Sequence, residues 1–209
     1  MQLERMLDAL TSLGAGWVLA LLGFLSIVGL AVILERTLYL ALRGDDVREL
    51  GRELRDLLAR GDPERARRRL EESPSFEASI AAAALDAFGA EDAEQRMLAA
   101  SQRSRLSMER WLAILGTLGS NAPFVGLLGT VIGIVRAFRA LESGAGQVSA
   151  GLMAEVGEAL VATAVGLLVA LPAVAAFNAF QRVIRTRLGQ GEVLAREVLA
   201  YWKQRAAKA

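Results

Sequence analysis

Three long apolar stretches dominate the pattern of hydrophobic and polar positions along the chain, at 14–42, 111–138 and 152–178. Each provides the roughly 20 apolar residues that a transmembrane helix needs. For the first stretch a secretory signal peptide is the alternative, but its uncharged run is long and no small-residue cleavage motif ends it. The pattern therefore predicts three transmembrane helices, with a short loop over 139–151 between the second and the third.

The polar block at 43–110 has helical periodicity throughout. Asp62 and Pro63 are of the types that cap a helix and open its first turn. Gly89 is a predicted stop, and the last helix should run directly into the span at Trp111. The block is too short and too charged for a large core of its own, so we expect it to lean on other copies or on the membrane helices. Helices are predicted over 45–60, from 63 through 70, over 78–88 and over 93–110.

Both ends of the chain are also predicted to be helical. Residues 1–13 have apolar side chains at helical spacing, which fits either an amphipathic helix in the membrane interface or a plain lead-in to the first span. Residues 179–209 continue the third span as a charged helix, which Gly189 and Gly191 should weaken. The expected fold class is an all-α membrane protein whose three transmembrane helices are extended by polar helices.

Basic residues are distributed unevenly among the segments outside the spans. Residues 43–110 hold 13 arginines and no lysine, residues 179–209 hold seven basic residues, and 1–13 and 139–151 hold one each. Cytoplasmic segments of membrane proteins are enriched in Lys and Arg. The counts therefore place 43–110 and the C-terminus in the cytoplasm, and the N-terminus and the 139–151 loop outside.

The amino-acid composition excludes several kinds of functional site. Of the 209 residues 54% are hydrophobic, the net charge is +1, and neither cysteine nor histidine occurs. This excludes disulfides, Cys- or His-based zinc and haem sites and histidine proton relays, and it gives no basic field for nucleic acid. No nucleophile–base pair or phosphate-binding loop is visible, since the glycines of 126–133 lie inside a span. We expect no enzyme activity, no metal site and no cofactor.

The second and third spans each carry a face of small side chains at spacings of three and four, which lets membrane helices approach closely. These faces should set helix packing and the shape of any pore between the helices. The small residues are Gly126, Gly129 and Gly133 in the second span and Ala159, Ala162, Gly166, Ala170 and Ala173 in the third.

Each small face also holds one threonine. Thr130 lies eight positions before Phe138, the outer end of its span, and Thr163 lies eight positions after Glu155, the outer end of the other. Both hydroxyls should therefore lie about 12 Å below the outer membrane surface. They form a candidate polar constriction of a pore, unless each bonds to the carbonyl four residues before it.

Acidic residues are scarce in the last two spans. Glu155 and Glu158 open the third span, where the helix dipole stabilises them. Glu158 lies one turn deeper and is the better candidate for an ion pathway. No carboxylate lies deeper than Glu158 in 111–178, although a proton path usually needs a titratable group near the membrane centre. Either the chain carries no ions, or a partner helix supplies that group.

Two prolines and two asparagines lie in the inner halves of these spans. Pro123 and Pro172 each free a backbone carbonyl and can kink the helix. Asn121 and Asn178 lie at a similar depth and could hydrogen-bond between helices. The four residues outline a candidate inner vestibule, and tolerated kinks are the simpler interpretation of the prolines.

Two runs of the sequence resemble motifs of the ExbB/TolQ/MotA proton-channel family. Residues 122–134 (APFVGLLGTVIGI) resemble its second-span motif. Residues 156–174 (VGEALVATAVGLLVALPAV) resemble its third-span motif, which ends at Phe177 and Asn178. The two runs cover most of the last two spans. The three-span layout favours the ExbB/TolQ branch, because MotA has four spans.

The resemblance implies a homo-pentamer in the inner membrane of Gram-negative bacteria. In this family the ring encloses the single transmembrane helices of an ExbD- or TolR-like partner dimer, which carry the ion-binding aspartate. By this resemblance Thr130 and Thr163 line the pore beside that aspartate, and Glu158 lies near the outer part of the pore. The transported ion is H⁺ or Na⁺. Ion flow rotates the partner dimer, which works on a TonB- or TolA-like effector.

Two functional hypotheses follow. In the first, the chain is an ion-channel subunit that couples the proton motive force to mechanical work through its partner and energises transport, envelope or motility machinery. In the second, the chain is a non-conducting membrane scaffold that assembles a larger envelope complex through its small-residue faces. Replacing Thr130 and Thr163 with valine distinguishes the two hypotheses, because only the first needs the hydroxyls.

Overall fold

The computed structural model describes Gly14 and residues 16–143 and 150–208, and the regular structure in this part of the chain is helical. The predicted helix at 1–13 lies outside the described residues. The helices are α1 (Gly16–Ala41), α2 (Val47–Ala59), α3 (Pro63–Glu72), α4 (Phe76–Leu85), α5 (Ala90–Glu109), α6 (Leu112–Ser143) and α7 (Ala150–Lys208). By length and composition α1, α6 and α7 are able to cross a membrane. The fold is therefore all-α with three candidate spans.

The helices extend past the predicted ends of the second and third spans. α6 continues beyond Phe138 to Ser143, and α7 begins at Ala150. The part of the predicted 139–151 loop that the structure describes is therefore helical at both ends. α7 also continues without a break through the polar C-terminal segment.

The prediction that α5 runs directly into the second span is wrong. α5 ends at Glu109, Arg110 has an extended ψ of 133°, and Trp111 has a left-handed φ of 66°. A positive φ is uncommon for a residue other than glycine. The Trp111 carbonyl then accepts a hydrogen bond from the Ile114 amide at 3.0 Å as the next helix begins. Neither Arg110 nor Trp111 is Gly or Pro, so the sequence contains no recognisable break.

The chain divides into two compact units. The membrane unit comprises the described residues up to Leu34 together with Trp111–Asn178, and the polar unit comprises Glu35–Arg110 together with Ala179–Ala209.

In the membrane unit α1 packs antiparallel to α6. Leu118 lies 3.2 Å from the position that a Cβ would take on Gly29, and Val18 lies 3.2 Å from that position on Gly129. A later residue of α1 thus meets an earlier residue of α6. The buried side chains between α1, α6 and α7 are Val18, Leu22, Ala122, Ile132 and Ala170.

The polar unit has a hydrophobic core that its own C-terminal helix completes. Trp202 of α7 reaches this core, and its indole N–H donates to the Ala84 carbonyl oxygen of α4 at 3.2 Å. The helix that covers the 43–110 block is thus the polar continuation of the third span, and its contact with other copies stays a prediction. The covering segment is far away in the sequence, and its apolar stripe is irregular. The buried core residues that α7 contributes are Leu194, Ala195 and Val198.

Local sequence signals set most helix boundaries in the polar unit. Asp62 caps α3 and Pro63 is its first residue, which confirms the prediction. Ser75 caps α4 by accepting from the Ala78 amide at 3.1 Å, so this helix starts earlier than predicted. Gly89 is the N-cap of α5 and not the end of α4.

A buried carboxylate lies where α4 meets α7. Glu77 is 3% exposed, its Oε2 has no hydrogen-bond partner among the described residues, and its Oε1 lies 4.0 Å from Nε of Arg187. Gly191 permits this approach, because a Cβ there would lie 3.3 Å from the Glu77 Cα and 2.7 Å from the Cδ1 of Ile80. Burial raises the pKa of the Glu77 carboxyl against the lowering effects of a backbone hydrogen bond and Arg187, and Asp45 adds to the rise.

Replacing Glu77 with glutamine is expected to stabilise the protein at neutral pH. A carboxyl whose pKa is higher in the folded than in the unfolded state binds its proton more tightly in the folded state. As the pH rises above the pKa of the unfolded state, this group therefore lowers the free energy of unfolding progressively. The gain should be about 1 kcal/mol near neutrality and should shrink toward about pH 4. Thermal unfolding followed by tryptophan fluorescence measures it, with the exposed Asp56→Asn as control. A gain independent of pH would contradict this explanation.

Candidate functional site

The small faces of α6 and α7 pack directly against each other within one chain. A Cβ on Gly126 would lie 2.7 Å from the carbonyl oxygen of Ala162, and one on Gly166 would lie 2.7 Å from that of Ala122. A Cβ on Gly129 would lie 2.6 Å from the Cβ of Ala162. Backbone therefore meets backbone, the close approach that small residues permit in membranes. The same face continues with Gly133 against Ala159, and it includes the buried Ala170 and Ala173.

These contacts fix the register of the helix pair. Gly126 meets the backbone of Thr163, and Gly129, almost one turn further along α6, meets Ala162, one position earlier on α7. The two helices are therefore antiparallel. Thr130 directly follows Gly129 in the sequence, so Thr130 and Thr163 lie at the same level to within about one helical turn.

The two threonine hydroxyls differ in their hydrogen bonding. Thr130 is 9% exposed, and its hydroxyl donates to the carbonyl oxygen of Leu127 at 2.7 Å. This is a local bond to the carbonyl three residues back, where the sequence suggested four. The hydroxyl oxygen of Thr163 is buried and has no hydrogen-bond partner among the described residues. Buried polar groups are rarely left unpaired. In the membrane unit the Thr163 hydroxyl shares this state with the indole N–H of Trp17 on α1.

An ion pair that the sequence analysis missed joins α6 and α7 near the loop that connects them. Arg136 Nη2 lies 2.8 Å from Glu155 Oε1, and both side chains are partly buried. The Arg136 guanidinium also lies against Gly14. Arg136 is seven positions after Gly129 and Glu155 is seven before Ala162, so the pair follows from the helix register. The register itself becomes visible only from the packed helices.

Glu158 lies apart from both threonines. It is exposed, and its Oε1 lies 3.6 Å from the position that a Cβ would take on Gly16, at the start of α1. Thr163 is five positions further along α7, or about 7.5 Å along the helix axis. The structure therefore places Glu158 between the loop end of α7 and the level of the threonines.

The four residues of the predicted vestibule have different surroundings. Pro172 lines an apolar cleft of about 130 Å³ that residues of α1 and α6 share, whereas Pro123 is half-buried. Asn121 is exposed, and its amide donates to the Thr117 carbonyl oxygen within the same helix at 2.8 Å. Asn178 is exposed. The vestibule itself stays a prediction.

The helix pair holds two threonine hydroxyls at one level, and its carboxylates lie nearer to the ends of α6 and α7 that the short connecting segment joins. The acidic residues of 111–178 are Glu142, Glu155 and Glu158. Within the described part of the chain, no group of three Asp, Glu, His or Cys side chains is placed to hold a metal ion. The pair could thus coordinate or pass an ion through hydroxyl oxygens, but it needs a titratable group from elsewhere to carry a proton.

Comparison with known proteins selects this same region. Residues 67–192, more than half of the chain, match the MotA/TolQ/ExbB proton channel family. The chain belongs to this family. The match includes all of α6 and the part of α7 that pairs with it, so it contains both threonines and the Arg136–Glu155 ion pair.

Individual relatives place the chain in the ExbB/TolQ branch and confirm the resemblance seen in its motifs. Tol-Pal system protein TolQ of Pseudomonas aeruginosa is 38% identical over 110 residues, which are 53% of this chain and 48% of the relative. Biopolymer transport protein ExbB of Xanthomonas campestris is 40% identical over 97 residues, 46% of this chain and 38% of the relative. A biopolymer transport protein named ExbB-like 2 from Helicobacter pylori is 42% identical over 81 residues, 39% of this chain and 54% of the relative.

The chain thus spans about half the length, or less, of the relatives that it matches. As a member of a proton channel family with three membrane-capable helices, it is a multi-pass membrane protein.

The Arg136–Glu155 ion pair of this ExbB/TolQ relative is expected to stabilise the packing of α6 against α7. A double-mutant cycle with Arg136→Gln, Glu155→Gln and the double variant measures the coupling free energy. Because both side chains are only partly buried, we expect a coupling of roughly 1 kcal/mol in thermal unfolding of the detergent-solubilised protein. Strictly additive effects of the two changes would show that the pair contributes nothing.

Proposed function

We propose that the chain is the ring-forming subunit of an ExbB/TolQ-type ion channel in the bacterial inner membrane. It couples the proton motive force to mechanical work through an ExbD/TolR-like partner. The observation that supports this most directly is the buried Thr163 hydroxyl, which has no partner among the described residues and lies at the level of Thr130. This unpaired group sits in the helix pair that matches a proton channel family.

The partner's role follows from the missing carboxylate. A proton crossing the membrane needs a titratable group near mid-depth, and the acidic residues of 111–178 all lie toward the loop. An aspartate on the partner's transmembrane helix would fill this gap, with the hydroxyls of Thr130 and Thr163 beside it. Hydroxyl oxygens suit H⁺ or Na⁺, and the site uses no cofactor.

The proposed assembly is a pentamer around a partner dimer. The N-terminus and the segment between α6 and α7 lie in the periplasm, and 43–110 and the C-terminus lie in the cytoplasm, as the distribution of basic residues favours. Glu158 then belongs to the periplasmic part of the pore. Rotation of the partner dimer would act on a TonB- or TolA-like effector. The names of the relatives favour biopolymer transport or a Tol-Pal-type process as the energised process.

A non-conducting scaffold is the second candidate function. The observation that favours it is the Thr130 hydroxyl, which already bonds to Leu127 and needs no ion or partner to be satisfied. In a scaffold the glycine faces would serve only to hold the helices together.

Native mass spectrometry of the detergent-solubilised protein, alone and co-expressed with the ExbD-like gene of its own genome, tests the proposed assembly. We expect five copies of the chain, with two partner chains captured on co-expression. A monomer or dimer that does not bind the partner would contradict the channel proposal and favour the scaffold.

A further inference from the structure

A groove crosses the surface of the polar unit between α2 and the C-terminal part of α7. Its volume is about 820 Å³. The two helices lie close because Gly51 of α2 has no side chain. The Leu194 side chain of α7 lies 3.1 Å from the position that a Cβ would take on Gly51. The floor is apolar and includes Val47, Leu194 and Val193, whose side chain is 61% exposed. Together, Val47, Val193 and Leu194 give the groove an apolar strip that an apolar side chain of another helix can cover.

The rim of the groove carries a strong excess of positive charge. The spacing of Arg48, Arg52 and Arg55 puts them on one face of α2, and Arg185 faces them from α7. Glu197 is the acidic residue that lines the groove, and it is bound to Arg55 at 3.1 Å. Among the residues that the structure describes, Arg48 and Arg52 form no ion pair within the chain. The groove is therefore suited to an acidic occupant with an apolar anchor.

Another surface of the polar unit has the opposite charge and an exposed apolar side chain. On α5, Glu91, Glu94 and Leu98 are exposed at spacings of three and four, which puts them on one helical face. Leu98 is 54% exposed. Within the described part of the chain neither Glu91 nor Glu94 forms an ion pair, whereas the neighbouring Asp92 is bound to Arg96. No residue of α5 lines the groove, so the two surfaces of one copy are separate.

We propose that the groove of one copy receives the acidic face of α5 from a neighbouring copy. Glu91 and Glu94 would pair with Arg48 and Arg52, and Leu98 would cover Val193. A helix lying in an apolar groove with charged rims is a recurrent mode of recognition. No aromatic side chain lines the groove, so it offers no stacking surface for a nucleotide, and an acidic helix is the better fit.

The two surfaces differ, so the contact is heterologous. Repeated head to tail, such contacts close into a ring or grow into a filament, whereas an isologous contact stops at a dimer. The inference therefore rests on the proposed ring and adds an interface outside the membrane to it. It also explains why each copy leaves one surface of each charge uncovered.

Disulfide crosslinking in the membrane tests the contact, since the chain contains no cysteine. Two differently tagged chains, one with Leu98→Cys and the other with Val193→Cys, are co-expressed with the partner and oxidised. We expect a crosslinked dimer containing both tags, and no dimer from either variant alone. The control replaces Leu98→Cys with Leu106→Cys, which is also exposed on α5 but lies about 12 Å further along the helix. It should not crosslink.

Charge reversal adds a test of the groove chemistry. Arg48→Glu with Arg52→Glu on the Val193→Cys chain should reduce the crosslink roughly tenfold or more, because like charges then face each other. Glu91→Lys with Glu94→Lys on the other chain should restore it, and the restoration also shows that the reversed chains fold.

The outcomes separate this inference from the proposed function. Five-copy rings without the crosslink would overturn the groove contact and leave the channel proposal intact. A crosslink from the groove to the partner protein would also overturn it, and would assign the groove to an acidic segment of that partner. Loss of both the ring and the crosslink would contradict the proposed function itself.

Discussion

Replacing Gly166 with leucine is expected to abolish assembly of the protein in the membrane. A Cβ at this position would already lie 2.7 Å from the Ala122 carbonyl oxygen and 3.1 Å from the Gly126 Cα. The obstructing atoms are backbone, so no side-chain rotation can relieve the overlap and the helices must separate. Overpacking typically costs about 1–3 kcal/mol, and more where the surroundings cannot yield. Size-exclusion chromatography of the solubilised protein should show loss of the folded species.

Two single alanine variants, at Gly166 and at Gly157, provide the matched control for this prediction. Gly157 lies on the same helix, and a Cβ there would meet nothing within 4 Å. Gly157→Ala should therefore leave the melting temperature unchanged or raise it slightly, whereas Gly166→Ala should lower it. Equal melting temperatures for the two alanine variants would show that the close contact between α6 and α7 is not what holds the membrane unit together.

Replacing Thr163 and Thr130 together with valine is expected to reduce ion-dependent function strongly while the complex still assembles. The Thr163 hydroxyl makes no bond within the described chain, so its removal should leave the stability unchanged or raise it slightly. Removal of the Thr130 hydroxyl gives up one bond to Leu127, worth about 1 kcal/mol. A hydrogen bond to an ion or a charged partner is worth about 1.5–3 kcal/mol, so the loss of function should be roughly tenfold or more.

The combination of retained assembly and lost function is the informative result. Growth that depends on the channel, in a strain lacking its own copy of the gene, measures function, and native mass spectrometry measures assembly. Thr117→Val is the control, because Thr117 is an exposed threonine on α6, the helix that carries Thr130. Full function of the double variant would remove Thr130 and Thr163 from the pathway and favour the scaffold.

Local periodicity was sufficient to predict the spans and their packing faces. Small residues at spacings of three and four define a helix face whatever lies opposite, and the faces of Gly129 and Ala162 do meet. Equal distances from the span ends gave the common level of Thr130 and Thr163, because depth depends only on the rise per residue.

Features that depend on contacts between distant segments could not be predicted in this way. The Arg136–Glu155 pair requires the register of α6 against α7, which only the packed glycines reveal. The closing of the polar core by Leu194 and Val198 joins segments more than a hundred residues apart. The break at Trp111 is a backbone conformation without a sequence signal, since neither Gly nor Pro marks it.

Proton flux into liposomes tests the central claim most directly, namely that this chain forms a proton-conducting ring whose titratable group comes from a partner. The purified chain is reconstituted alone, with its ExbD-like partner, and with a partner whose transmembrane aspartate is changed to asparagine. Under an imposed inside-negative potential, we predict proton uptake only with the unchanged partner. A correctly assembled complex without flux, or equal flux through the chain alone, would contradict the account.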